Sequence, residues 1–134
     1  MEIRACVDVD DLDKAIAFYE RALGLKPGRR FGNEWAEMTG GSSAIDLLVK
    51  GSGTIPCQGS SPRSYNRHWT PVHLDFVVTN LDEAVQRATA AGAVLERGID
   101  AQKWGRMANL ADPFGHGFCL IEFRDRGYDE IATN

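Results

Sequence analysis

The sequence predicts an α+β fold made of two tandem modules, each a strand, a helix and two or three further strands. Three observations carry the prediction. Residues 9–16, Val-Asp-Asp-Leu-Asp-Lys-Ala-Ile, recur as residues 78–85, Val-Thr-Asn-Leu-Asp-Glu-Ala-Val. Each copy follows a strand-like run, Ile3 to Val7 in the first and Val72 to Phe76 in the second. Each is followed by strand-sized segments separated by Gly, Ser, Pro or Asp. Aligning the copies places His73 opposite Arg4, so the modules share a scaffold and differ in chemistry.

The elements follow in order. Asp11 is a natural N-cap, and Leu12, Ala15, Ile16, Tyr19, Ala22 and Leu23 recur at helical spacing before Gly24 stops the helix. Strands are expected over Phe31 to Glu37 and Ala44 to Val49. In the second copy Asn80 caps and Glu83 stands three residues on, as in a capping box. Leu81, Ala84, Val85, Ala88 and Ala91 form its buried stripe before Gly92. Strands are expected over Val94 to Gly98, Met107 to Leu110 and Phe118 to Phe123, with Asp112-Pro113-Phe114-Gly115 as a turn.

The 134 residues are read as one domain, 1–134, with module one at about 1–50, a linker at about 51–69 and module two at about 70–125. The linker is rich in Gly, Ser and Pro; a plain connection is expected before a functional lid. Apolar and charged contents of 43% and 25% place the chain among globular proteins. No run approaches the ~20 apolar residues of a membrane span, and no leader precedes a cleavage site. A cytoplasmic location is therefore expected, with no membrane partner. The net charge of −4 and scattered basic residues argue against nucleic acid. Cys6, Cys57 and Cys119 contain no C-x-x-C pair and read as reduced thiols.

The order and duplication of the motifs resemble the vicinal oxygen chelate superfamily, which includes glyoxalase I, bleomycin-resistance proteins, fosfomycin-resistance enzymes and extradiol dioxygenases. In module one the resemblance rests on Val9-x-Asp11-Leu12, Phe18-Tyr19 and Leu23-Gly24. In module two it rests on Val72-His73-Leu74-Asp75, Asn80-Leu81-Asp82, Ala91-Gly92-Ala93, Trp104-Gly105 and Asp112-Pro113-x-Gly115-x-x-Phe118. It covers about residues 3–123. It implies tandem βαβββ modules whose mixed sheet curls around a cavity, a homodimer, and a metal held by the first and last strands of both modules.

Carried over residue by residue, the implied ligand positions are Arg4, Asp46, His73 and Cys119. The last falls seven residues after Asp112, where the family usually has glutamate. Arginine has no lone pair to offer a cation. Glu122 is expected on the opposite face from Cys119, as a solvated residue near its strand's end. His68 and His116 are expected in loops.

Two readings follow. In the favoured one the cavity holds no metal or other cofactor: Arg4 pairs with Asp46, and the site binds a small anionic or aromatic molecule. Arg4, Asp46, His73, Asp75 and Cys119 are its ligand-binding residues. In the alternative, Asp46, His73 and Cys119 hold a divalent metal. Zinc suits the thiolate, and the protein would then be a glyoxalase-type lyase or isomerase, or dioxygenase-like. The charge of Arg4 opposes that reading. His73 beside Asp75 is a candidate general base in either case. Trp35, Trp69, Trp104, Phe31 and Tyr65 are candidate cavity walls, Trp104 being the one most expected to serve packing.

Overall fold

The computed structural model describes residues 1–133, and the chain divides into two compact units, Met1–Asn66 and Arg67–Asn134. Each unit is one βαβββ module. In the first, β1 (Ala5–Val9) leads into α1 (Leu12–Leu23), then β2 (Lys26–Phe31), β3 (Trp35–Thr39) and β4 (Ile45–Val49). In the second, β5 (Leu74–Val77) leads into α2 (Leu81–Ala90), then β6 (Val94–Gln102), β7 (Gly105–Ala111) and β8 (Gly117–Phe123). A 3-10 turn, Gly127–Glu130, follows β8.

The two sheets repeat one topology, β1-β4-β3-β2 and β5-β8-β7-β6. The first and last strands of each module run parallel side by side, and the other pairings are antiparallel. A parallel pair needs a crossover, and the helix with the outer hairpin supplies it. No helix among the described residues is long and apolar enough to cross a membrane.

Alternation along the strands separates core from site. In the first unit Val9, Ala36, Met38, Ile45 and Leu47 are buried with Leu12, Ala15, Phe18, Tyr19 and Ala22 of α1. In the second, Ala108, Leu110 and Leu120 are buried with Leu81, Ala84 and Ala88 of α2. The intervening residues of the central strands take the opposite face. Both helices begin as their caps predict: the Asp11 and Asn80 side chains accept from the amides of Lys14 and Glu83.

Four features depart from the sequence expectations. Strands β1 and β5 start two residues later than expected, because pairing begins at Ala5 with Ile45 and at Leu74 with Phe118. Arg4 and His73 therefore stand at the strand entrances. Strand β2 has no counterpart among the expected strands: Lys-Pro-Gly-Arg-Arg-Phe is exposed throughout and carries no apolar alternation. It nevertheless pairs with β3 as an edge strand, with an irregularity between Pro27 and Arg30. Residues 51–66 fold back within the first unit instead of stretching as a loose connection. Gly53 donates to the Arg63 carbonyl and Arg63 to the Thr54 carbonyl, both at 2.8 Å, while Arg63 Nε reaches Asp8 at 2.7 Å. Finally, Glu122 lies on the expected helix face but is not solvated; its side chain is 13% exposed. It accepts from the Leu81 amide at 2.8 Å and from Arg106 Nη2 at 2.8 Å, capping α2 from the sheet. A carboxylate that completes a helix end and pairs with arginine tolerates burial, which spacing along one strand does not show.

Candidate functional site

Strand register aligns the two modules position by position. In the first, Cys6 pairs with Asp46 and Asp46 with Glu37. In the second, Asp75 pairs with Cys119 and Cys119 with Asn109. Adding the residues that enter each first strand gives two equivalent quartets on the face away from the helix: Arg4, Cys6, Glu37 and Asp46, and His73, Asp75, Asn109 and Cys119.

The first quartet is an ion-pair network. Arg4 grips Asp46 with Nε at 2.9 Å and Nη2 at 2.7 Å, and Nη2 also donates to Glu37 at 2.7 Å. Glu37 takes two further bonds from the Arg29 guanidinium, at 3.1 and 2.7 Å, and one from the Arg29 amide at 3.5 Å. Glu37 and Asp46 are each only 6% exposed, so two arginines are what make two adjacent buried carboxylates tolerable. Hydrogen bonds from Arg29 first and Arg4 second pull the Glu37 carboxyl down to about 2. Asp46 and Glu37 in turn hold the Arg4 guanidinium above its usual range. Two guanidinium groups thus face two buried carboxylates, and exposed Glu2 lies 3.8 Å from Arg4. Within module one, Arg4 is therefore matched by carboxylates. It also occupies both oxygens of Asp46. Cys6 is exposed, with its sulfur 4.0 Å from Asp46.

A pH dependence follows. A carboxylate held low in the folded state and at its usual value of about 4.5 when unfolded stabilises the fold above that value. The contribution is lost as pH falls from about 4.5 towards 2. Glu37→Gln is expected to flatten stability across that window, measured by urea unfolding at a series of pH values. An unchanged acid limb would show that Glu37 does not set it.

The second quartet is chemically different. His73 Nε2 lies 3.0 Å from Asp75, and both side chains are roughly half exposed. Cys119 is buried; that burial, then the charge of Asp75 and a hydrogen bond to it, raise its thiol to about 11. Asn109 Nδ2 donates to the sulfur at 3.1 Å. One ligand atom from each of His73, Asp75 and Cys119 lies within 4.8 Å of the others. Imidazole nitrogen, carboxylate oxygen and sulfur within that span fit a zinc-type ion, so the donor set is compatible with the metal that the resemblance implies. Without metal, the same geometry gives His73 an acidic neighbour that fixes its ring, as a general base requires.

His73, Asn109 and Cys119 line a pocket of about 200 Å³ together with Arg67, Trp69 and Thr70. Arg67 bonds Glu96, the Nη2–Oε2 contact being 2.9 Å, and passes so close to Gly117 that a Cβ there would lie 2.7 Å from Nη2. His68 and His116 form a hydrogen-bonded pair at 2.9 Å beside the Asp112 turn. Trp69 is 79% exposed, whereas Trp104 packs on Phe123 and Tyr128.

The structure thus groups Arg4 with Asp46 and His73 with Asp75 and Cys119. Glu37 and Asn109 are site residues that the duplicated motifs do not mark. The available signal is a polar residue flanked by apolar ones inside each strand, one register step from Asp46 and Cys119. Arg29 and Arg67, in stretches without periodicity, offer none.

Paired βαβββ modules with polar residues at matching first- and last-strand positions define the class. The chain belongs to the glyoxalase-like domain family, whose model matches residues 4–121. It is 34% identical over 130 residues to an uncharacterized protein of Mycobacterium bovis, covering 93% of this chain and 86% of that one. The anthracycline biosynthesis protein DauV of Streptomyces sp. strain C5 is 31% identical over 121 residues, covering 87% of this chain but 39% of DauV. Among solved structures, the fosfomycin resistance protein FosX of Listeria monocytogenes aligns with a TM-score of 0.70 at 18% identity, covering 92% of this chain and 93% of FosX. A FosX variant has been solved with Mn(II) and 1S,2S-dihydroxypropylphosphonic acid. These structural likenesses bear on the fold alone.

Proposed function

We propose that this glyoxalase-like protein binds a small aromatic or oxygen-bearing organic molecule against the sheet of module two, and that the ion-pair network of module one holds no metal. One observation carries the reading: the pocket presents an exposed indole, Trp69, beside convergent polar groups from His73, Asn109 and Thr70. Flat apolar walls with a few placed donors and acceptors are what small ligands need.

Charge selects among ligands. Arg67 is paired with Glu96 and His73 with Asp75, as Arg4 is with Asp46 and Glu37. With the basic groups of the pocket, Arg67 and His73, already matched by carboxylates, an aromatic ligand is favoured over an anionic one. The name of DauV, a relative assigned to anthracycline biosynthesis, agrees with an aromatic ligand. A cytoplasmic homodimer completes the reading.

The test is a titration with paired aromatic amides and carboxylates, followed by amide NMR shifts, with light scattering on the same samples for the dimer. Shifts should cluster at Trp69, Thr70, His73 and Asn109, and amide and acid should bind within about threefold of each other. Trp69→Ala should weaken binding about tenfold, in keeping with an aromatic contact of ~1 kcal/mol or slightly more. Shifts scattered over the surface, or a carboxylate preference of tenfold lost in Arg4→Ala, would overturn it.

A further inference from the structure

We infer that module two by itself is a zinc site, with His73, Asp75 and Cys119 as its three protein ligands and the adjoining pocket as the side on which a fourth ligand enters. This goes beyond the small-molecule reading, which stands or falls separately.

The resemblance implies ligands drawn from both modules, with Asp46 as the contribution of module one. In the structure Asp46 is engaged elsewhere, because both of its oxygens are bound by Arg4. Asp75 takes the carboxylate role within module two. It follows His73, at the entrance to β5, by two residues, with a carboxylate oxygen 3.0 Å from His73 Nε2, and register sets it directly beside Cys119 on β8. Nitrogen, oxygen and sulfur ligand atoms meet within 4.8 Å, without any residue from module one.

The donor types select the ion. A thiolate disfavours magnesium and manganese, which prefer oxygen, and suits zinc, which accepts mixed nitrogen, oxygen and sulfur sets in tetrahedral geometry. Three protein ligands leave one position open. His73 and Cys119 both line the pocket, which gives a fourth ligand its route of entry. Asn109, donating to the Cys119 sulfur at 3.1 Å, is placed to stabilise the thiolate formed when the ion displaces the thiol proton to solvent. The net change is exchange of one proton for one dication.

Cobalt(II) is the probe, because thiolate–cobalt charge transfer gives a near-ultraviolet band that oxygen and nitrogen ligands do not. The full-length chain, freed of metal, should develop this band at one cobalt per chain and lose it on adding one equivalent of zinc. His73→Ala and Cys119→Ser should abolish it, and Asp75→Asn should weaken cobalt binding at least tenfold. Asp46→Asn should leave the affinity unchanged. On the wild-type chain, zinc should shift the amide resonances of His73, Asp75 and Cys119 and leave those of Cys6 and Asp46 in place, which decides the matter even if Asp46→Asn does not fold. Absence of the band at millimolar cobalt overturns the inference. So do zinc-induced shifts at Asp46 as large as those at Asp75, which would restore a site shared by both modules. Neither result touches the NMR titration with aromatic amides.

Discussion

Gly105→Ala is expected to destabilise the protein by about 3 kcal/mol or more, because the substitution combines a backbone clash with a forbidden conformation. Gly105 opens β7 at φ +152° and pairs with Phe123 of β8. A Cβ built on it would overlap the Glu122 carbonyl oxygen and lie 3.0 Å from the Phe123 Cα and 3.1 Å from the Glu122 carbonyl carbon. These are main-chain atoms of a central strand, so no side-chain rotation relieves the overlap. The same strand pair carries Asn109 and Cys119, and the Trp104–Phe123–Tyr128 cluster packs at its end with ring separations of 4.8 to 6.1 Å. Gly98→Ala is the control. An added Cβ at Gly98 meets nothing within 4 Å, so its effect should stay within about 0.5 kcal/mol. Urea unfolding of both variants decides; a Gly105→Ala loss below about 1 kcal/mol would show that β7 and β8 separate more easily than their register suggests.

The second large effect is expected at Arg4. Arg4→Ala leaves Asp46 and Glu37 side by side on adjacent strands, 6% exposed each, with Arg29 as the remaining cation on Glu37. Removing one partner from a buried pair costs far more than the pair contributed, because the other charge stays behind. The thermal midpoint should therefore fall well beyond the shift of Arg30→Ala, which breaks the surface pair with Asp13. Arg4→Ala combined with Asp46→Asn should recover part of the loss, since the amide needs no counterion. Equal shifts for Arg4→Ala and Arg30→Ala, or no recovery in the double variant, would mean that water replaces the guanidinium at little cost. The duplication alone suggests the Arg4–Asp46 pair. Glu37 and Arg29, which extend that pair into a network, are outside its reach.

The repeated Val-x-x-Leu-Asp segments, the Asp11 and Asn80 caps and the order of strands after each helix are local or duplicated signals. They suffice to define the two modules, their helices and their family from the chain itself. Strand register gives the site its final composition. Whether Cys119 sits beside Asp75 or Asp46, and whether Glu122 meets solvent or the amide of Leu81, depends on which strands lie side by side. The exposed β2, with Pro27 and Gly28 in its run, is likewise a strand only because β3 offers its edge. Periodicity reports which face a residue takes within its own element; only tertiary pairing reports which residue waits opposite. Charge compensation, donor sets and burial all depend on that second fact, because Coulomb and coordination energies fall off within a few ångströms while the residues concerned lie tens of positions apart in the chain.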